Sequence, residues 1–135
     1  MWGAPGTMLA SLALYKDTGE QRWIDLYRKS AHALEKTFTH DPERGCRLWL
    51  QHLYGNEAQL IGAVHGFSGN AFALIQGRQF LDTELWLGLT RDIAATFHTT
   101  AMHTKSGVNW PQWVGASQPG HTLMLVQHCH GYVLG

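Results

Sequence analysis

The residues best suited to chemistry are a cysteine–histidine pair late in the sequence and a histidine near its middle. Cys129 and His130 are adjacent, and thiolate and imidazole groups both bind zinc well. His65 precedes a glycine at the expected start of a helix, where an imidazole could reach a cleft as a general acid or as a metal ligand. Each position also has a structural interpretation: a buried free cysteine beside an exposed histidine, and a hydrogen-bonded histidine in a turn.

The other chemical candidates are weaker. Cys46 is followed by Arg47, a neighbour that could lower the thiol pKa, but no further reactive residue is nearby and we interpret Cys46 as structural. The sequence contains no P-loop, no dinucleotide-binding glycine pattern and no Gly-x-Ser-x-Gly nucleophile elbow. Nucleotide and serine-hydrolase chemistry therefore have no support from motifs.

His65 belongs to a glycine-rich turn, residues 62–69, in which Ser68 is placed to cap the following helix. Similar turns begin at Gly3 and at 128–131, at intervals of roughly 60 residues, near the upper end of usual repeat lengths. We expect each repeat to contain a glycine turn, a short helix, a longer helix and an aromatic segment. Such units must stack on their neighbours to bury their apolar faces.

The elements that would position these turns are mainly helical. Predicted helices cover 7–16, 21–39, 70–80 and 82–100. The second has a three- or four-residue apolar spacing that places these side chains on one face: Trp23, Tyr27, Ala31, Leu34 and Phe38. Asp41-Pro42 is expected to close this helix. Segments 46–51 and 108–113 are expected to be short strands or extended loops in equivalent places. An all-α architecture of stacked helical hairpins follows.

Composition limits the class of protein. The chain has 135 residues, of which 44% are hydrophobic and 15% charged, as expected for one globular domain over 1–135. Ten basic and ten acidic residues balance, which argues against nucleic acid or an anionic membrane as the main partner. No apolar run approaches the roughly 20 residues of a membrane span. Two cysteines are too few for a disulfide scaffold, so we expect a cytoplasmic protein.

Three segments, in this order and spacing, resemble the lanthionine synthetase C-like (LanC-like) family. They read Gly-Ala-Pro-Gly at 3–6, Gly-Ala-Val-His-Gly-Phe-Ser-Gly at 62–69 and Leu-Val-Gln-His-Cys-His-Gly at 125–131. The resemblance covers nearly the whole chain and implies a partial α/α toroid, with about two helical hairpins and the start of a third. It also implies kinship with zinc-dependent cyclases that add a cysteine thiol to a dehydroamino acid to form a thioether (lanthionine) ring.

The resemblance further assigns roles to residues. Cys129 matches the first zinc-ligating cysteine of the family, and His130 is a weaker candidate, a ligand only if this pair corresponds to the family's later Cys-His motif. His65 matches the family's active-site histidine, a proton donor or acceptor. The implied cofactor of the parent family is zinc, with an incomplete site in this chain, and the implied substrate is a peptide or a thiol.

The sequence departs from the family after Gly131, where Tyr-Val-Leu-Gly replaces the expected Ala-Pro-Gly. We therefore expect a central slice of a longer protein, whether a fragment, a split reading frame or a degenerate gene. We expect it to be inactive alone, with uncovered helices that favour aggregation or oligomerisation. Two alternatives remain open. One is a non-catalytic remnant or module that binds a peptide or thiol, and the other, less favoured, is a helical-hairpin glycosidase, for which Glu57 is the carboxylate to test.

Overall fold

A computed structural model of the chain describes residues 3–53, 55–64, 66–105 and 107–115. Four α-helices lie in these ranges: α1 (Ala4–Thr18), α2 (Gln21–Lys36), α3 (Phe67–Gln76) and α4 (Thr83–Thr100). Six short strands accompany them: β1 (Phe38–Asp41), β2 (Cys46–Trp49), β3 (Gln51–Leu53), β4 (Asn56–Ala58), β5 (Met102–Thr104) and β6 (Gly107–Asn109). One turn of 3₁₀ helix, Arg78–Phe80, separates α3 from α4.

The prediction of an all-α fold, a partial α/α toroid, is wrong. The six strands of the described residues pair as three antiparallel two-stranded sheets, β1–β2, β3–β4 and β5–β6, so the fold is mixed α/β. The physical reason is local: the chain leaving α2 and α4 turns back on itself and satisfies its backbone groups by strand pairing. Segment 46–51, left open between strand and loop, forms β2 and the start of β3.

The helix boundaries also differ from the prediction. The second helix ends at Lys36 rather than residue 39, and Phe38 starts β1 opposite Trp49. Pro42 therefore follows a strand, and the Asp41 carboxylate accepts hydrogen bonds from the backbone N–H groups of Glu43 and Arg44 in the β1–β2 turn. The first and third helices start earlier than predicted.

The glycine turns that precede α1 and α3 lie at the same end of the helices, as the repeat predicted. The Tyr15 ring near the end of α1 lies 5.5 Å from the Phe80 ring just beyond α3, so the two helices point the same way. The first helix, α1, packs against both α2 and α3, and the Tyr27 hydroxyl of α2 donates to the carbonyls of Ala73 and Leu74 in α3.

The core lies directly beneath the start of α3. Phe67, the first residue of that helix, is fully buried. Its ring centroid lies 5.0 Å from that of Trp49 and 5.1 Å from that of Phe97 on α4. Aromatic contact therefore joins the first β-hairpin to both helices of the second repeat at the point where the second glycine turn ends.

Several apolar side chains of α1 and α3 stay exposed, among them Leu14, Phe72 and Ile75. In the described part of the chain, no helix combines the length and apolar character needed to cross a membrane. Aggregation or oligomerisation through these faces remains a prediction.

Candidate functional site

The three residues that the sequence marked for chemistry, His65, Cys129 and His130, lie outside the described residues. Both neighbours of His65 are described, and so is the backbone that enters and leaves its turn. The anchors of the turn therefore define the site.

The turn is closed by hydrogen bonds between the residues before it and the first residues of α3. The Phe67 N–H donates to the Leu60 carbonyl at 2.8 Å, and the Ser68 N–H donates to the Ile61 carbonyl at 3.0 Å. These bonds satisfy N–H groups that would otherwise be left unpaired at the start of the helix. Ser68 is not the cap that the sequence indicated: Gly66 is the N-cap residue, and the Ser68 hydroxyl donates to the Ile61 carbonyl at 2.6 Å.

Gly66 is required by the closeness of the backbone around it. A β-carbon at this position would lie 2.5 Å from the Leu60 carbonyl oxygen and 2.7 Å from the Gly62 carbonyl oxygen. Real β-carbons do not approach atoms so closely, so any other residue forces the turn to open. Gly66, which follows His65 in the chain, is thus packed against the backbone of Leu60 and Gly62.

A second segment, residues 112–114, lies alongside residues 59–61, which lead into the turn. Leu60 and Trp113 form an antiparallel bridge, flanked by bonds from the Ile61 N–H to the Gln112 carbonyl at 3.0 Å and from the Val114 N–H to the Gln59 carbonyl at 2.9 Å. The segment at Trp113, from which the chain continues toward Cys129, therefore lies beside the segment at Leu60 that leads to His65.

Gln51 is a site residue that sequence reasoning missed. Its side-chain Oε1 accepts a hydrogen bond from the Leu60 N–H at 2.7 Å. Its Nε2 is buried and has no hydrogen-bond partner. Helical or strand periodicity carries no signal for such a side-chain contact to a distant backbone. A repeated Trp-x-Gln, at 49–51 and 110–112, is the one sequence pattern that could have drawn attention to it.

Arg47, also missed, ties the two repeats together. Its guanidinium donates to the Asp92 carboxylate of α4 at 3.0 Å and lies 3.8 Å from the Glu35 carboxylate of α2. It also sits over the Phe38 ring, 4.5 Å from the ring centroid. Charge pairing and a cation–π contact therefore hold the first β-hairpin between two helices.

Cys46 has the structural character that we assigned to it. The side chain is 3% exposed, and burial, reinforced by the Asp41 carboxylate, raises the pKa of the Cys46 thiol. The hydrogen bond of Thr96 and the charge of Arg44 oppose this rise without cancelling it. The thiol is therefore protonated near neutral pH and unreactive.

Glu57, the carboxylate of the glycosidase alternative, lies on an exposed two-stranded sheet. Its cross-strand neighbour is His52, whose Nδ1 lies 3.2 Å from the Glu57 Oε1, with both side chains more than half exposed. A glycosidase needs a second carboxylate across a cleft, and the neighbour that the structure gives Glu57 is a histidine.

The described residues do not fit a zinc site on their own. Within 3–53, 55–64, 66–105 and 107–115, no three histidine, cysteine, aspartate or glutamate side chains come together to hold a metal ion. The candidate ligands Cys129 and His130 fall outside these ranges.

No family model matches the sequence, and no curated protein or solved structure matches this chain either. The LanC-like resemblance is therefore carried by the three glycine-containing motifs.

Proposed function

We propose that this chain is a LanC-like protein, related to the cyclases that join a cysteine thiol to a dehydroamino acid as a thioether. The observation that supports this is the pairing of two similar turns. Both α1 and α3 begin one residue after a glycine, Gly3 and Gly66, at the same end of the fold, and His65 directly precedes the second glycine.

In the proposed reaction, the thiolate sulfur of a substrate cysteine forms a bond to the β-carbon of a dehydroalanine or dehydrobutyrine. The electron pair of the carbon–carbon double bond moves to the α-carbon, which becomes part of an enolate. His65, as imidazolium, then donates a proton to that α-carbon. The close anchoring of the turn at Leu60 and Phe67 supports this role, because general acid catalysis requires a fixed donor position.

Zinc enters this proposal only through the family resemblance, with Cys129 as the assigned ligand and His130 as the weaker candidate. A catalytic zinc site uses about three protein ligands. We therefore expect the 135-residue chain to bind zinc weakly at best and to lack cyclase activity by itself. Purification with zinc, dialysis and metal analysis would check this, and one tightly held zinc per chain that is lost in Cys129→Ala would contradict it.

Substrate recognition can be tested without turnover. A peptide that carries one cysteine and one dehydroalanine should shift the NMR signals of Val64, Gly66 and Phe67 more than those of the β3–β4 hairpin. The matched control is the same peptide with serine in place of dehydroalanine, which should bind less tightly. Shifts that spread evenly over the chain, or equal affinity for both peptides, would contradict the proposal. Preferential binding with no thioether formed, even after zinc is supplied, is the outcome expected both for this chain alone and for a non-catalytic remnant.

A further inference from the structure

We infer that Gln51 is a positioning residue for the turn that carries His65. The role of His65 rests on the proposed function, but the positioning itself rests on the contacts of described residues. Gln51 starts β3, where it lies opposite Ala58 of β4. From there its side chain reaches past the end of the hairpin to the backbone of Leu60.

Leu60 is held on both of its backbone groups. Its N–H donates to the Gln51 Oε1 at 2.7 Å, and its carbonyl accepts from the Phe67 N–H at 2.8 Å. The hydrogen bonds of the bridge to Trp113 use the N–H of Ile61 and the carbonyl of Gln59, so they leave the Leu60 N–H to the glutamine. The Gln51 side chain and the bridge to Trp113 therefore hold the chain where it enters the turn, and the Phe67 N–H holds it where it leaves.

The unpaired Nε2 of Gln51 indicates that glutamine is not the most stabilising residue for this position. Because the Leu60 N–H is a donor, the amide oxygen must face it, which leaves the buried Nε2 without an acceptor. An unpaired buried donor is destabilising. Replacing the amide with an apolar group of similar length removes one unpaired donor, Nε2, and creates another, the Leu60 N–H. The net change in stability is thus small, whereas the side-chain anchor of Leu60 is lost.

The test uses the full chain and NMR spectroscopy. In Gln51→Met the Leu60 amide should exchange with solvent about tenfold faster, and the His65 ring signals and their titration midpoint should shift. The melting temperature should change little. Gln76→Met, at an exposed position at the end of α3, should leave all of these quantities unchanged. Gln51→Glu, which keeps an acceptor oxygen, should restore the slow exchange at Leu60.

Unchanged His65 signals in a folded Gln51→Met chain would overturn the inference. If that variant does not fold, exchange in the unaltered chain decides the question. The Leu60 amide should exchange at least about tenfold more slowly than the Val64 amide, and equal rates would overturn the inference. None of these measurements uses a substrate, so a failure of the proposed function in peptide binding is separate from a failure here.

Discussion

The two repeats use the same hydrogen bond in different surroundings. The Trp49 indole donates to the Leu34 carbonyl near the end of α2, and the Trp110 indole donates to the Phe97 carbonyl near the end of α4, both at 2.8 Å. Trp49 ends β2 and Trp110 directly follows β6, so each tryptophan joins the end of a β-hairpin to the long helix before it. The similarity indicates that this bond is part of the repeat itself and not an accident of one loop.

The burial of the two tryptophans differs. Trp49 is 3% exposed and stacks on Phe38 with ring centroids 3.9 Å apart. Trp110 is half-buried and meets Phe97 edge-on at 5.9 Å. The β1–β2 hairpin is therefore part of the core, whereas the β5–β6 hairpin is packed at its margin. A repeated geometry can thus carry different amounts of stability in different places.

The largest expected effect comes from removing these indoles. Trp49→Ala should lower the free energy of unfolding by about 3–5 kcal/mol, and Trp110→Ala by about 2 kcal/mol, because less surface is buried at the second site. Urea titration followed by circular dichroism measures both. Trp49→Phe and Trp110→Phe lose only the indole hydrogen bond and a little volume. These two variants should therefore lower the free energy of unfolding by similar amounts. Equal costs for the two alanine variants would contradict the difference in burial.

The glycines at the starts of α1 and α3 provide the next comparison. Gly66 has an extended backbone, with φ of −123°, and is required by the nearby carbonyls. Gly3 has φ of 74°, and a β-carbon added there would meet nothing within 4 Å, so only its backbone angle requires glycine. We expect Gly66→Ala to cost about 2–3 kcal/mol by overpacking and Gly3→Ala about 1–2 kcal/mol by strain. Thermal melts of the two variants give the order, and the reverse order would contradict this assignment.

The two long helices should differ in how they make stability depend on pH, because α2 carries an ionisable tyrosine where α4 carries a leucine. Tyr27 is the seventh residue of α2, and Leu89 occupies the same place in α4. Burial raises the pKa of Tyr27 to about 12 from 10.0, against a smaller lowering by the backbone of Gly77. Because the folded-state pKa is the higher one, the stabilisation is complete below pH 10 and is lost as the pH rises toward 12, by about 2 kcal/mol.

Tyr27→Phe should remove most of this loss, which urea titrations at a series of pH values would reveal. The Cys46 thiol, whose pKa burial also raises, contributes a loss in the same direction above its ordinary pKa of 9.0. That loss should persist in the variant. If the free energy of unfolding of Tyr27→Phe depends on pH as it does in the unaltered chain, the Tyr27 hydroxyl has the same pKa in the folded and unfolded states.

The smallest expected effect tests the charge contact between the repeats. Arg47 and Arg91 both contact Asp92, but the Arg47 side chain is 30% exposed and that of Arg91 is 79% exposed. Arg47→Met should cost about 1 kcal/mol, since it removes a partly exposed guanidinium from the Asp92 and Glu35 carboxylates while Arg91 stays beside Asp92. Arg91→Met should change stability by less than about 0.5 kcal/mol. Similar values for the two variants in urea titration would show that Arg47 does not join the repeats energetically.

The sequence predicted which residues are buried better than it predicted their secondary structure. Phe38 lies four residues after Leu34, so the helical spacing of apolar residues continues through it. In the structure Phe38 is buried as expected, but in β1 against Trp49. Burial follows from side-chain chemistry, whereas the end of the helix is set by backbone pairing with a later strand. Single-sequence periodicity does not report such pairing.

The candidate site could likewise be predicted only in part from the sequence. The position of the second glycine turn could be predicted, because glycine and a following apolar helix leave a local pattern. The contacts of Gln51 and Arg47 could not, because they join residues that are far apart in the chain or on different elements. A pattern shows which face of an element is buried, but it does not name the partner.

The pairing of Leu60 with Trp113 has a consequence for folding. It joins the two ends of the second repeat, so α3, α4 and the third sheet lie within one closed loop of chain. Closing a loop of this length removes chain entropy, and among the described residues two backbone hydrogen bonds flank the bridge in return. We therefore expect the bridge to form only after the helices have packed, so that the entrance to the His65 turn is ordered late in folding.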